Sequence, residues 1–147
     1  MPAWLYALDS GVLLWIQQVL RGALDPLMMF YTKLGNGGML WIVLCLLLLC
    51  FPKTRRAAFW GLIAMLLGLL STNVVLKHLV GRPRPYTAGE GLVPLLLPGD
   101  PNSFPSGHTC AAFAAAGVWA RALPRRWMGV TGLVLAALMG FSRLYVG

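Results

Sequence analysis

Long apolar segments alternate with short polar ones along this chain. The strongest apolar runs occupy residues 39–51, 57–76, 109–120 and 127–141, and each is followed by a basic residue within two positions. A helix that crosses a bilayer needs about 20 predominantly apolar residues, and these runs approach or reach that length. The pattern predicts an all-α fold, a bundle of membrane-spanning helices with spans at about 38–52, 57–77, 106–121 and 126–143.

The first 37 residues carry a weaker pattern. Asp9, Gln17 and Gln18 interrupt the apolar stretch 5–20, and Pro26 begins a shorter apolar piece. Polar interruptions of this kind favour amphipathic helices that lie along the membrane surface, and a true span is the alternative. Glycines at 35, 37 and 38 predict a turn. We therefore expect one membrane domain over residues 1–147, with interfacial helices in 1–37.

Composition agrees with a membrane protein. The 147 residues are 59% hydrophobic and 11% charged, whereas a soluble domain is about a quarter charged. The net charge of +8 does not indicate nucleic acid, because half of the twelve Lys and Arg residues form two short clusters between apolar runs, at 53–56 and 121–126. Three cysteines, all in apolar runs, are an odd number without paired spacing. We expect buried, inert thiols, and neither a disulfide framework nor a metal site.

The two basic clusters also predict a topology. Loops rich in Lys and Arg stay in the cytoplasm. The span at 57–77 then runs outward and brings Lys77 and Arg84 to the outer face. The span at 106–121 returns from that face, and the span at 126–143 brings Ser142 and Arg143 back to it. Three polar clusters that are distant in sequence therefore meet outside a cell membrane, which we expect to be a bacterial inner membrane.

Those clusters suit a phosphate-like anion. Charges at the ends of membrane spans are costly and are candidates for function. Lys77 offers a compact point charge, and Arg82 and Arg84 offer planar forks of donors. Residues 105–108, Pro-Ser-Gly-His, read as the start of a helix, where free backbone N–H groups bind oxyanions. Each cation alone has an ordinary explanation as an interfacial anchor, so the combination carries the prediction.

The same residues stand in a familiar order. Lys77, Arg84 and Pro85 form K-x6-R-P, residues 105–108 form P-S-G-H, and Ser142-Arg143 begin S-R-x5-H-x3-D. This order resembles the type 2 phosphatidic acid phosphatase family of membrane lipid phosphate phosphatases, related to the vanadium haloperoxidases. The resemblance covers about residues 35–147. It implies an all-α bundle of the haloperoxidase type and a site with neither metal nor cofactor.

The resemblance also implies roles for individual residues. Lys77, Arg84 and Arg143 would clamp the phosphate oxygens, and His108 would protonate the leaving group. Further substrate contacts would come from the remaining motif residues, which are Pro85, Ser106, Gly107 and Ser142. The third motif's histidine, the nucleophile that becomes a phosphohistidine, would stand at position 149, beyond Gly147. We therefore expect a fragment that binds phosphate without turning it over, and a longer protein that is a phosphatase.

The family acts on several lipids. The predicted outward site favours undecaprenyl diphosphate over phosphatidic acid and phosphatidylglycerol phosphate. A non-catalytic membrane protein that binds or transports phosphate or lipid is the alternative. The expected partners are the lipid phosphate substrate and membrane lipids, without nucleic acid, and the oligomeric state is open.

Overall fold

The computed structural model describes residues 3–84, 91–96 and 102–147, with the side chains of residues 3–7 outside that description. Seven α-helices account for most of these residues: α1 Ala3–Val19, α2 Asp25–Leu34, α3 Met39–Leu49, α4 Arg55–Leu69, α5 Lys77–Val80, α6 Gly107–Ala122 and α7 Arg126–Val146. A 3-10 turn, Asn36–Gly38, joins α2 to α3, and a π-helical stretch, Leu70–Leu76, joins α4 to α5. The predicted all-α class is confirmed.

Within the part of the chain that the structure describes, two continuous helices have the length and composition to cross a membrane. They run over Arg55–Val80 and Arg126–Val146, where the pattern predicts spans at 57–77 and 126–143. The pair α2 and α3 passes the same test together, although it is bent by 52° at the turn between its members. Whether α2 belongs to a broken span or lies on the surface stays a prediction. The apolar, lipid-compatible helices make this a membrane protein.

Helix α6 lies at the centre of the bundle. It packs against both α4 and α7, and its buried face is made of small side chains that are fully inaccessible: Ala111, Ala112, Ala115 and Ala116. Small residues let membrane helices approach closely. At Gly129 of α7, an added Cβ would lie 2.6 Å from the Cα of Ala120 in α6. Glycine at this point sets the spacing of the two helices.

One aromatic pair closes the core at the C-terminal end of α6. Trp119 of α6 is 4% exposed, Trp41 of α3 is fully buried, and their ring centroids are 5.7 Å apart. Gly61 of α4 makes room for Trp119, because a Cβ there would lie 3.0 Å from its Nε1. Bulky aromatic side chains therefore lie at the C-terminal end of α6, whereas its N-terminal end carries polar residues.

The segment predicted as an open loop, 81–105, contains a short antiparallel pair. Strand β1, Arg82–Pro83, pairs with β2, Asn102–Phe104. These strands bring the two ends of the segment together immediately before α6 begins. Residues 85–90 and 97–101, which include the predicted site residue Pro85, lie outside the described residues.

Helix α1 packs on the end of α7, where Ile16, Tyr145 and Val146 form a buried cluster.

The expectation of three buried thiols is wrong for Cys50, which is exposed at the C-cap of α3, immediately after the last helical residue. Cys45 is buried and Cys110 partly so, and all three are free.

Candidate active site

A cavity of about 1160 Å³ opens at the end of the bundle where α6 begins. Its wall combines the end of α2, the π-helical stretch, the paired strands, the first turn of α6 and the last turns of α7. The cations on this wall are Lys33, Lys77, Arg82, Arg84 and Arg143, and Asp9 of α1 adds an acid. A concave wall with an excess of cations focuses a positive potential that attracts anions.

The residues predicted from the three motifs meet here. Lys77, Arg84, His108 and Arg143 all line the cavity, although they come from four separate segments. Ser106 and Gly107 line it as well. The described structure thus brings together six of the eight candidate residues, leaving Pro85 outside the description and Ser142 elsewhere.

Ser142 departs from the expectation. Its side chain is fully buried, and its hydroxyl donates a hydrogen bond to the backbone carbonyl of Met139 at 2.8 Å. It is absent from the described cavity wall. Adjacent helical residues point about 100° apart, so Arg143 faces the cavity while Ser142 faces the helix packing.

The start of α6 is built as the sequence suggests. Ser106 is the N-cap in an extended conformation, and its Oγ accepts hydrogen bonds from the backbone N–H and the hydroxyl of Thr109. The backbone N–H groups of a first helical turn lack intrahelical partners. Gly107 lies close to Asn73, because an added Cβ would lie 3.2 Å from the Asn73 Oδ1. The helix start therefore sits close against the span that carries Lys77.

The two motif arginines are held differently. Arg84 is 8% exposed, and its Nη1 lies 3.4 Å from the backbone carbonyl of Gly147. Arg143 is partly buried, and its Nη1 donates to the Thr32 Oγ1 at 3.1 Å. Both guanidinium groups stand on the cavity wall, where their N–H donors can meet an anion.

Three residues of the N-terminal helices join the site without having been predicted. Asn36 Oδ1 lies 2.9 Å from His108 Nε2, Thr32 accepts from Arg143, and Asp9 forms an ion pair with Arg82. These contacts join residues more than 70 positions apart, so no local pattern reveals them. The sequence feature that could have identified these three residues is their polarity within otherwise apolar segments.

The donor set of this wall suits an anion. Across residues 3–84, 91–96 and 102–147, no three His, Cys, Asp or Glu side chains gather closely enough to hold a metal ion. Guanidinium, ammonium, imidazole and backbone N–H groups surround the cavity instead, and such groups form charge-assisted hydrogen bonds with phosphate oxygens.

Comparison with known proteins agrees with this arrangement. A curated undecaprenyl-diphosphatase from Sulfolobus acidocaldarius is 30% identical over 124 residues, which are 84% of this chain and 59% of that protein. The chain thus spans about 59% of the length of this relative. No solved structure matches the chain. The PAP2 superfamily matches residues 57–147, which hold all three motif segments, and the chain therefore belongs to the PAP2 superfamily.

Proposed function

We propose that this membrane protein is a lipid phosphate phosphatase. The observation that supports this most directly is the convergence of Lys77, Arg84, His108 and Arg143 on one cavity. Phosphoryl transfer needs stabilisation of charge on three equatorial oxygens, and fixed cations supply it. Family membership and the undecaprenyl-diphosphatase relative support the same reaction class.

The proposed mechanism proceeds through a phosphohistidine without a metal ion. The histidine expected at position 149 attacks phosphorus, so that an N–P bond forms and the P–O bond to the leaving group breaks. His108 gives its proton to the departing oxygen. Water then attacks phosphorus and gives a proton back to His108, so that a new P–O bond forms, the N–P bond breaks, and inorganic phosphate and the free nucleophilic histidine are released. Attacking and leaving atoms lie on opposite sides of phosphorus, so His108 cannot take both roles.

Undecaprenyl diphosphate is the substrate we propose first. The relative's name supports a diphosphate lipid, and a cavity of about 1160 Å³ has room for two phosphates. Apolar side chains in its lining, among them Leu13, Leu69 and Phe113, offer contacts for a lipid chain. Phosphatidic acid and phosphatidylglycerol phosphate are the competing substrates. We place the cavity on the outer face of the cell membrane, following the distribution of basic residues.

Anion binding tests the site independently of turnover. Vanadate, a phosphate mimic, should bind the detergent-solubilised chain, and Arg84→Ala should weaken it at least ten-fold. A desolvated charge-assisted hydrogen bond contributes about 1.5–3 kcal/mol, and a ten-fold change is about 1.4 kcal/mol. Arg121→Ala, which removes an exposed cation at the other end of α6, is the matched control. Equal affinity of all three proteins would refute the role of Arg84.

Turnover tests the reaction. We expect inorganic phosphate release from undecaprenyl diphosphate by a protein that carries a completed third motif, and we expect that rate to persist with excess chelator. Residues 1–147 alone should bind vanadate without releasing phosphate. Robust release by residues 1–147 would contradict the assigned nucleophile. Vanadate binding without turnover in the completed protein would favour the non-catalytic alternative, a phosphate-binding or transport protein.

A further inference from the structure

The turn between α2 and α3 has an unusual build. Gly37 and Gly38 both have positive φ, +60° and +74°, where glycine is strongly favoured. They lie at the break between the two helices, where the chain bends by 52°. This turn lies before residue 57, outside the segment that the PAP2 superfamily matches. Its polar residues therefore belong to none of the three motifs.

This turn is wedged between the two helices that carry His108 and Arg143. Gly35 is buried, and an added Cβ would lie 2.7 Å from both Sδ and Cε of Met139 in α7. The same Cβ would lie 3.0 Å from Cδ2 of the His108 ring. Backbone at Gly35 thus touches one residue from each helix.

Side chains on either side of Gly35 reach the two motif residues. Thr32 is 1% exposed, and its Oγ1 accepts from Arg143 Nη1 at 3.1 Å. Asn36 Oδ1 lies 2.9 Å from His108 Nε2. One turn, through residues four positions apart, therefore contacts both the third-motif arginine and the proposed proton donor.

We propose that Thr32 and Asn36 are positioning residues for the phosphate site. This inference rests on the proposed function. The amide oxygen of Asn36 can only accept, so it holds the proton of neutral His108 on Nε2 and leaves Nδ1 to exchange a proton with the leaving group. Thr32 fixes the guanidinium plane of Arg143, so its remaining donors meet the phosphate in a defined orientation.

The tautomer of His108 tests Asn36 without any anion. The chain has two histidines, so ¹⁵N-labelled histidine gives two sets of ring signals, and His78→Gln assigns them. We expect neutral His108 to carry its proton on Nε2 in the wild type and to become a mixture of tautomers in Asn36→Ala. An unchanged tautomer in Asn36→Ala would overturn the role of Asn36.

A titration adds an outcome with a sign. The charged groups that face His108 are Lys77, Arg84 and Arg143, with Lys33, Arg82 and Asp9 on the same wall, and none of them differs between the variants. Asn36→Asp places a carboxylate at hydrogen-bond distance, which stabilises the imidazolium. Its His108 signal should titrate at a pH higher by about one unit than in the wild type, and that of Asn36→Ala at a lower pH. An equal titration midpoint of His108 in the wild type, Asn36→Ala and Asn36→Asp would contradict the proposal.

Vanadate affinity tests Thr32. Thr32→Val keeps the shape but removes the acceptor, and it should weaken vanadate binding about ten-fold. Thr32→Ser keeps the hydroxyl and should restore affinity even if the valine variant folds poorly. The matched control is Thr131→Val, because Thr131 is exposed and bonds only its own helix, at Trp127.

The outcomes separate the two proposals. If the wild type did not bind vanadate, the proposed function would be refuted. The tautomer experiment would still decide whether Asn36 determines which ring nitrogen of His108 carries the proton. Normal binding by Thr32→Val, with an unchanged tautomer in Asn36→Ala, would sink the positioning role and leave the proposed function standing.

Discussion

The contact between α6 and α7 at Gly129 yields the most direct prediction from the fold. In Gly129→Ala, the new Cβ would lie 2.6 Å from the Cα of Ala120 and 3.2 Å from the carbonyl oxygen of Trp119. Carbon atoms in contact normally stand about 3.5–4.0 Å apart, so the helices must separate locally by about 1 Å. The obstacles are backbone atoms, which cannot rotate away. Overpacking of this kind costs about 1–3 kcal/mol.

Thermal unfolding in detergent measures that cost. For a chain of this size, 1 kcal/mol corresponds to about 2–4 °C in Tm, so we expect Gly129→Ala to lower Tm by several degrees. The matched control is Gly117→Ala in α6, where an added Cβ meets nothing within 4 Å. Alanine is the better helix former by up to about 1 kcal/mol, so the control should keep or raise Tm. Equal Tm values for the two variants would refute the argument that this glycine sets the helix spacing.

Three further changes test other contacts. Asp9→Asn removes the acid from the cavity wall, so vanadate affinity at low salt should rise several-fold. The gain in affinity should shrink at 1 M salt, where the Debye length is about 3 Å. A binding titration at both salt concentrations checks this, and weaker vanadate binding by the variant would contradict it. Tyr145→Phe removes a hydroxyl that contacts the Leu20 carbonyl and the Asp25 carboxylate, each at 2.7 Å, so amide exchange in Ala3–Val19 should speed up about five-fold or more; unchanged exchange would show that α1 is held by other contacts. Trp119→Ala should lower the free energy of unfolding by about 3–5 kcal/mol in a denaturation series. Phe59→Ala, at a side chain that is 53% exposed, should lower it far less. Similar losses in the two variants would argue against Trp119 as a central part of the core.

Much of the fold and site is local in origin and was therefore predictable. Two of the apolar runs lie within helices of bilayer length among the described residues, and the helix over Arg55–Val80 stands where the pattern predicts 57–77. Lys77, Ser106 and Arg143 stand at helix boundaries, and a boundary is readable from the residues beside it. The basic loops set the predicted direction of each span, so these helix ends were expected to meet on one face, and the structure brings these residues to one cavity.

What the sequence concealed depends on contacts between distant segments. Asn36 and His108 are 72 positions apart, and nothing near either residue marks the pairing. Strands of two and three residues are too short for an alternating pattern to appear, so the pair within 81–105 read as a loop. Ser142 was expected to contact substrate because it begins the third motif, but neighbouring helical positions face different directions, and only Arg143 faces the cavity.

The π-helical stretch, Leu70–Leu76, has a consequence for how this span tolerates changes of length. A wide turn of this kind holds an extra residue without the full 1.5 Å rise and 100° rotation that an α-helical residue adds. Deleting one residue within the stretch would let the helix become regular while Lys77 still faced the cavity. The same deletion within Arg55–Leu69 would swing the ammonium group away by about 100°. The span therefore contains one additional residue immediately before Lys77. The direction in which the Lys77 side chain points depends on the position of that additional residue in the helix.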